Sequence, residues 1–374
     1  MQSSNRICLN MIVKNETPVL ARLFASVQHI ISYYVIVDTG STDGTPEFIK
    51  EWMDNAGIAG EVHHHEWVNY GYNRNQALEH AYQSDQADWV LIIDADEEFA
   101  CSDPFFYKRL QPNISYSLEK HHNEIRYRLM NLVNIRTARW RWHGVVHEYL
   151  AFVEGIDIRE ELFDAWIIYH QGEGVRSRGL SAKQKYLADA RLLEKELKKQ
   201  PHDARSRFYL AQSYNDAGQI KDAYENYLLR ASMEGWPEEN FVSQYRVGEI
   251  AVLLNKPYPE IADVFLKAYE MRPTRGAEPL YRLAVYCRNK NWYAQGYMFA
   301  KTGSHIPYPT DVLFVEKDIY EWKILDELAI AAYWTERYQE SKELCERLLA
   351  MALSTVDAER IEKNLQFAIQ KLGL

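Results

Sequence analysis

Nowhere in the 374 residues is there a run approaching the ~20 consecutive apolar positions that a helix needs to cross a bilayer, so no membrane span is expected. Cysteine is scarce. The four present, Cys8, Cys101, Cys287 and Cys345, show no C-x-x-C or ligand-like spacing, which argues against a disulfide scaffold or a cysteine-held metal and fits reduced thiols. Basic excess is missing as well: the net charge is −10, with 14 Lys and Arg against 25 Asp and Glu over residues 1–175, and 29 against 28 over 176–374. Neither half offers a basic nucleic-acid surface. The first residues lead into only seven mostly apolar positions, Ile7 to Val13, interrupted by Asn10, which is not a signal-peptide pattern; a cytoplasmic protein is expected.

What is present divides in two. Up to about residue 175, short apolar, β-branched runs alternate with helical stretches. Ile7–Val13 reads as a strand, followed by a helix opened by Pro18. Tyr34–Asp38 is the next strand, and the turn-rich Thr39–Pro46 leads into a second helix. A third strand is expected near Glu61–Trp67, a helix near Asn73–Gln83, and then the buried strand that begins at Trp89. Such alternation predicts an α/β domain, 1–175, with a mostly parallel Rossmann-like sheet.

Trp89-Val-Leu-Ile-Ile93 has the continuous apolar character of a strand covered on both faces, and it runs directly into Asp94-Ala95-Asp96. In extended geometry residues two apart share a face, so both carboxylates would meet there and need a cation between them. Hard oxygen ligands at a strand end suit Mg²⁺ or Mn²⁺ with a diphosphate. By itself an Asp-x-Asp is more often a turn or a helix cap.

These landmarks together resemble the nucleotide-sugar half of a family 2 glycosyltransferase with the A-type fold. Val37-Asp-Thr-Gly-Ser-Thr-Asp-Gly-Thr45 is similar to that family's "VDDGSTDGT" loop, with Thr39 in place of the second Asp; Asn15-Glu16, Arg74-Asn75 and Asp94-Ala-Asp96 follow in the family's order. The resemblance implies that Asp38 accepts the imide N–H of a uracil-like base, that Val13, Asn15, Arg74 and Asp94 bind the donor, and that Asp96 holds Mn²⁺ or Mg²⁺. A guanidinium at Arg74 would supply planar recognition that lysine cannot. For Asp38 the plain alternative is a helix cap.

Five arginines lie between Arg126 and Arg141. Arg126 and Arg128 read as outward positions of a strand, while Arg136, Arg139 and Arg141, around Trp140 and Trp142, are candidates to meet phosphate. The segment Gly144-Val-Val-His-Glu148 resembles the "G-x-V-H-E" of glycosyltransferases that carry a tetratricopeptide tail. It nominates Glu148, shielded by Trp140 or Trp142, as the general base, against the alternative that Glu148 pairs with a nearby arginine. His170, at the end of a last strand, resembles the family's "H-x-G" histidine and is a candidate metal ligand. His63-His64-His65 cannot converge on one ion, because neighbours on a strand face opposite ways.

After Gly174 the pattern turns helical, and 176–374 is expected to be an all-α domain. Lys183–Lys199 is amphipathic. Leu210-Ala211, Tyr214, Gly218, Ala223, Tyr227 and Pro237 have the spacing of a tetratricopeptide repeat, weaker copies follow, and longer connections are expected at Lys256–Pro259 and Gly303–Asp311. A closing helix is expected over Asp357–Leu372. Stacked helical hairpins suit an extended peptide or a homodimer.

The chain is therefore expected to be a metal-dependent inverting glycosyltransferase moving sugar from a nucleotide diphosphate, UDP-sugar favoured, to an acceptor, preferably a polypeptide side chain. A surface polysaccharide or lipid-linked glycan is the second acceptor class. From another class, the rival is a non-catalytic tetratricopeptide scaffold fused to a degenerate sugar-nucleotide domain.

Overall fold

The computed structural model describes residues 5–122, 125–174, 178–179 and 181–374. Its first half alternates as expected: β1 (Ile7–Val13), α1 (Thr17–Val27), β2 (Tyr33–Asp38), α2 (Thr45–Ala56), β3 (Ala59–His64), α3 (Tyr70–Ser84) and β4 (Trp89–Ile92). Then strands follow one another, broken only by a short 3₁₀ turn at Phe106–Arg109: β5 (Glu97–Cys101), β6 (Ile114–His122), β7 (Ile125–Asn134), β8 (Ala138–His143), β9 (Tyr149–Gly155) and β10 (Ile158–Tyr169). Helix α4 (Ala182–Lys199) follows.

Eight strands form one sheet in the order β3-β2-β1-β4-β7-β6-β10-β5, while β8 and β9 make a separate hairpin. β1 pairs in parallel with β2 and with β4, β2 with β3, and β6 with β10; the remaining ladders are antiparallel. The register Val13↔Asp38 sets the ends of β1 and β2 side by side. Loops at the carboxyl edge of such a sheet are where ligands bind. Alternation along the strands then fills both faces. Leu9, Met11, Ile36 and Leu91 pack with Leu20, Phe24, Ile49 and Met53 of α1 and α2. Their neighbours Cys8, Val35 and Val90 pack against Leu78 and Ala81 of α3 and Trp140 of β8.

Only residues 93–96 separate β4 from β5, yet the two strands are four places apart in the sheet. Five Cα steps reach at most about 18 Å, slightly less than the ~19 Å width of four flat strand spacings. The sheet therefore curls until its far edge returns beside β4. This closure carries the end of β10 to Asp96, whose carbonyl accepts from the His170 N–H at 3.0 Å.

Several expectations shift. β3 ends at His64 rather than reaching Trp67, and α3 begins at Tyr70, capped by the Asn69 side chain accepting from Tyr72 N at 2.8 Å. Asp94 and Asp96 lie in the turn between β4 and β5, not in extended backbone. By compactness the chain divides into Met1–Pro201 and His202–Leu374, so α4, placed with the second half from its helical pattern, belongs to the first unit.

His63 and His65 do share a side, as alternation requires, and meet His80 of α3. The rings of His63 and His80 stack at 3.6 Å, and His65 Nε2 lies 2.8 Å from His80 Nε2. That N···N hydrogen bond requires at least one neutral imidazole. Burial, then the neighbours His63 and His65, lowers the His80 pKa from its ordinary 6.5. Because the folded value lies below the unfolded one, stability is full above pH 6.5 and lost as pH falls through it. Thermal midpoints should therefore drop between pH 7 and 5. In His80→Gln that dependence should flatten, and an unchanged pH profile would show that the cluster contributes nothing.

The second unit runs α5 (Ala204–Asp216), α6 (Ile220–Ala231), α7 (Pro237–Leu253), α8 (Tyr258–Met271), α9 (Ala277–Asn289), α10 (Tyr293–Gly303), α11 (Ile324–Trp334), α12 (Tyr338–Leu349) and α13 (Thr355–Leu372). Consecutive helices pack as hairpins, with the small residues Ala211 and Ala223 fully buried where α5 and α6 cross. The connection at Lys256–Pro259 is a short turn, contrary to expectation, whereas 304–318 is long. Arg360 of α13 reaches Asp326 of α11 at 2.9 Å and fixes the closing helix, whose Ile361, Leu365 and Ala368 are buried. No helix among the described residues is long and apolar enough to cross a membrane. All four cysteines are free thiols, three of them buried.

Candidate active site at the carboxyl edge of the sheet

A cavity of about 860 Å³ opens over the strand ends, entirely within the Met1–Pro201 unit. Val13 and Lys14 from the end of β1, Glu16, and Thr39 after β2 form one part of its wall; Arg74, Asp94, Asp96 and Glu148 form another.

The loops after β1 and β2 are stitched together. Asn15, in left-handed backbone (φ 56°), accepts from Thr42 N at 2.7 Å, and its own N–H donates to Ser41 Oγ at 2.8 Å. Asp38 turns inward: its carboxylate accepts from the N–H groups of Gly40 and Ser41 at 3.2 Å and faces His64 Nδ1 at 3.3 Å. At 2% exposure it organises its own loop, and Thr39 lines the cleft in its place. Asp38 is thus tied to its own loop and caps no helix, since α2 follows Gly44 without a side-chain cap.

Arg74 is the centre of the site. Its Nε donates to Glu148 Oε1 at 2.8 Å, its Nη2 to Asp94 Oδ1 at 2.7 Å, and its guanidinium lies 5.1 Å from the Trp142 ring centre. Burial opposes the charge, but Asp94 and Glu148 outweigh it and hold Arg74 protonated. Bringing Glu148 to a residue of α3 depends on close backbone approach: a Cβ on Gly71 would lie 2.2 Å from the Gly144 carbonyl oxygen. Asn75 completes the attachment, its amide exchanging hydrogen bonds with Trp142 N and O at 2.8 and 2.9 Å. Glu148 does pair with an arginine, but with Arg74 rather than one from the 126–141 stretch. Trp142 flanks that pair, while Trp140 is buried against Phe152.

The Asp94 N–H donates to Glu97 Oε2 at 2.9 Å, and Glu97 holds the buried Lys120 at 2.6 Å. Burial opposes the Lys120 charge; Glu97 and Asp94 overcome it and raise its pKa. Asp96 differs. Burial, then the like charge of Asp94, pushes its carboxyl above the ordinary carboxylate range, and no Lys, Arg or His among the described residues forms an ion pair with it. Gly174 closes over it, since a Cβ there would meet Asp96 Oδ2 at 2.6 Å. A half-buried carboxylate beside a second one, with no ion-pair partner among the described residues, fits a hard divalent ion.

His170 is placed otherwise than its sequence position suggests. Its Nε2 lies 3.0 Å from Glu98 Oε2, and its ring does not line the cleft. Among the described residues no group of three or more His, Cys, Asp or Glu side chains has metal-binding geometry, so the fit rests on Asp96. The arginines expected to meet phosphate are elsewhere: Arg136 pairs with Asp85 and Asp88, Arg139 lies against Tyr82 and Glu79, and Arg141 is exposed outside the cleft.

Sequence reasoning missed two contributors. Trp67 and Tyr70, edge to face at 4.8 Å, line the cleft just before Arg74, where an aromatic pair around the Asn69 cap was the available signal. Lys185, Asp189, Arg191 and Lys195 of α4 line it too, and nothing in an amphipathic helix pattern tells which neighbour it meets.

Parts of the chain are similar to known proteins. Residues 8–103 match the sequence model of glycosyl transferase family 2. An uncharacterized glycosyltransferase of Rickettsia felis is 31% identical over 122 residues, 33% of this chain and 37% of the relative. A TPR repeat-containing protein of Synechococcus elongatus is 37% identical over 94 residues, 25% of this chain and 21% of that protein. The chain thus matches well under half the length of either relative. Among solved structures, a thermophilic TPR protein of Thermus thermophilus is similar at 18% identity and a TM-score of 0.33, covering 49% of this chain and 92% of that one. Residues 8–103, which carry the strand-end loops, Arg74 and the Asp94-Ala-Asp96 turn gathered on one sheet edge, are thus similar to glycosyl transferase family 2.

Proposed function

We propose that this chain is a metal-dependent, inverting glycosyltransferase that takes a sugar from a nucleotide-diphosphate donor, UDP-sugar favoured, and delivers it to an acceptor, preferably a polypeptide side chain. The observation that carries this reading is the Glu148–Arg74–Asp94 chain. One guanidinium joins a candidate acceptor-side base to a donor-side carboxylate in the wall of one cavity.

In this reading Val13, Thr39, Trp67 and Tyr70 receive the nucleoside, with aromatic faces available for the base. Asn15 and Asp38 act indirectly by shaping the loops. Arg74 orients Asp94 toward the donor. Asp96 would hold Mn²⁺ or Mg²⁺, which when bound neutralises charge on the departing diphosphate. His170, tied to Glu98, positions the β10 end and the backbone of Asp96. Glu148 keeps Oε1 on Arg74 and has Oε2 to take the acceptor proton. The polypeptide preference comes from the stacked hairpins of the second unit, whose repeated helix pairs provide an extended surface.

The test is the ligand-induced thermal shift of Asp96→Ala. Wild-type protein should be stabilised by UDP with Mn²⁺ and lose that gain with EDTA, whereas the variant should show no metal-dependent gain. Donor binding that is the same with and without EDTA overturns the metal assignment.

A further inference from the structure

Helix α4 lies outside the 8–103 segment, yet it supplies a whole wall of the cavity: Lys185, Ala188, Asp189, Arg191, Leu192 and Lys195. At 3.6 residues per turn these positions span an arc of about 160°, so one side of the helix faces the cleft. Ser181 and Gln184 form a reciprocal capping box, and α4 then runs without interruption to Lys199.

Charge gives this wall its meaning. The rest of the cleft carries Glu16, Asp94, Asp96 and Glu148 against the cations Lys14 and Arg74, the buried Arg74 is already shared between two carboxylates, and Asp189 adds one more carboxylate on α4 itself. A nucleoside diphosphate brings further negative charge into this acidic space. Lys185, Arg191 and Lys195 form no ion pair among the described residues, so their charge is uncommitted. Cations on a rigid helix, facing a partly enclosed cavity, are placed to take phosphate oxygens without first breaking an internal salt bridge.

Resting on the glycosyltransferase reading, we infer that Lys185, Arg191 and Lys195 of α4 hold the diphosphate of the donor and set its affinity. They are positioning residues, with the nucleoside held on the opposite wall. The proposal separates two parts of one ligand: α4 acts on the phosphates and leaves the nucleoside alone.

The experiment is calorimetric titration of the full chain with UDP, GDP, ADP and CDP, each with Mg²⁺, and with the matching nucleosides. The triple variant Lys185→Gln, Arg191→Gln, Lys195→Gln should bind the preferred diphosphate at least tenfold more weakly, keep nucleoside affinity within twofold, and show a flatter dependence of affinity on salt. The charge-keeping triple Lys185→Arg, Arg191→Lys, Lys195→Arg should restore most of the affinity and controls for folding. Equal diphosphate affinity in wild type and Gln triple overturns the inference and leaves the glycosyltransferase reading standing; so does an equal loss of nucleoside binding, which would mark a structural effect. If the wild type binds no nucleoside diphosphate, both readings fall together.

Discussion

Glu148→Gln should slow sugar transfer by roughly 10²–10⁴-fold, the range over which a positioned general base contributes. Donor and metal binding should stay near normal. The reason is local: Gln keeps an amide oxygen where Glu148 Oε1 now accepts from Arg74 Nε at 2.8 Å, so the guanidinium retains a partner and the cleft keeps its shape. What is lost is the basic oxygen, Oε2, proposed to take the acceptor proton. The signature is a fall in kcat with an unchanged donor KM, which marks an interaction made only in the transition state. Wild-type product should carry the anomeric configuration opposite to the donor. Transfer at the wild-type rate would place the base elsewhere; retention of configuration would overturn single displacement itself.

Arg74→Ala should do broader damage. It removes the one cation between Asp94 and Glu148 and leaves the Glu148 carboxylate, 12% exposed, with no ion-pair partner. Opening a fully buried pair costs roughly 3–5 kcal/mol; here the cost should be smaller, because Asp94 is 41% exposed and partly solvated. For a unit of this size each kcal/mol lowers the thermal midpoint by about 2–4 °C, so a drop of several degrees is expected along with loss of transfer. Arg74→Lys should recover part of the stability but little activity, since one ammonium cannot bridge both carboxylates in a plane and also lie against Trp142. An Arg74→Ala variant that keeps its wild-type midpoint would show that Asp94 and Glu148 do not depend on the bridge.

How far the site could be read from the chain depends on how local each feature is. Asp94-Ala-Asp96 was legible because the buried strand Trp89–Ile92 and its polar end are neighbours in sequence. Its geometry was not, because the curl of the sheet turns those residues and sets the end of β10 and Gly174 against them. Glu148 was nominated from its own segment, but its partner lies 74 positions away on α3 and is reached only because Gly71 lets the Gly144 backbone come close. The phosphate-binding candidates Arg136, Arg139 and Arg141 failed for a related reason. Sequence shows that they are basic, whereas the fold gives Asp85, Asp88 and Glu79 to the first two and leaves the third outside.

By itself, then, the sequence determined the alternating strands and helices of the first half, the helical hairpins of the second, and the Asp94-Ala-Asp96 carboxylates after a buried strand, because periodicity and turn chemistry act over a few residues. Tertiary structure alone decided that the Asp38 carboxylate accepts from the N–H groups of its own loop, that His170 faces Glu98, that Arg74 bridges Asp94 to Glu148, and that α4 lines the cleft with three cations that form no ion pair among the described residues. Each of those outcomes is a competition among charges far apart in sequence, and the curled sheet settles it by choosing which of them come within hydrogen-bonding reach.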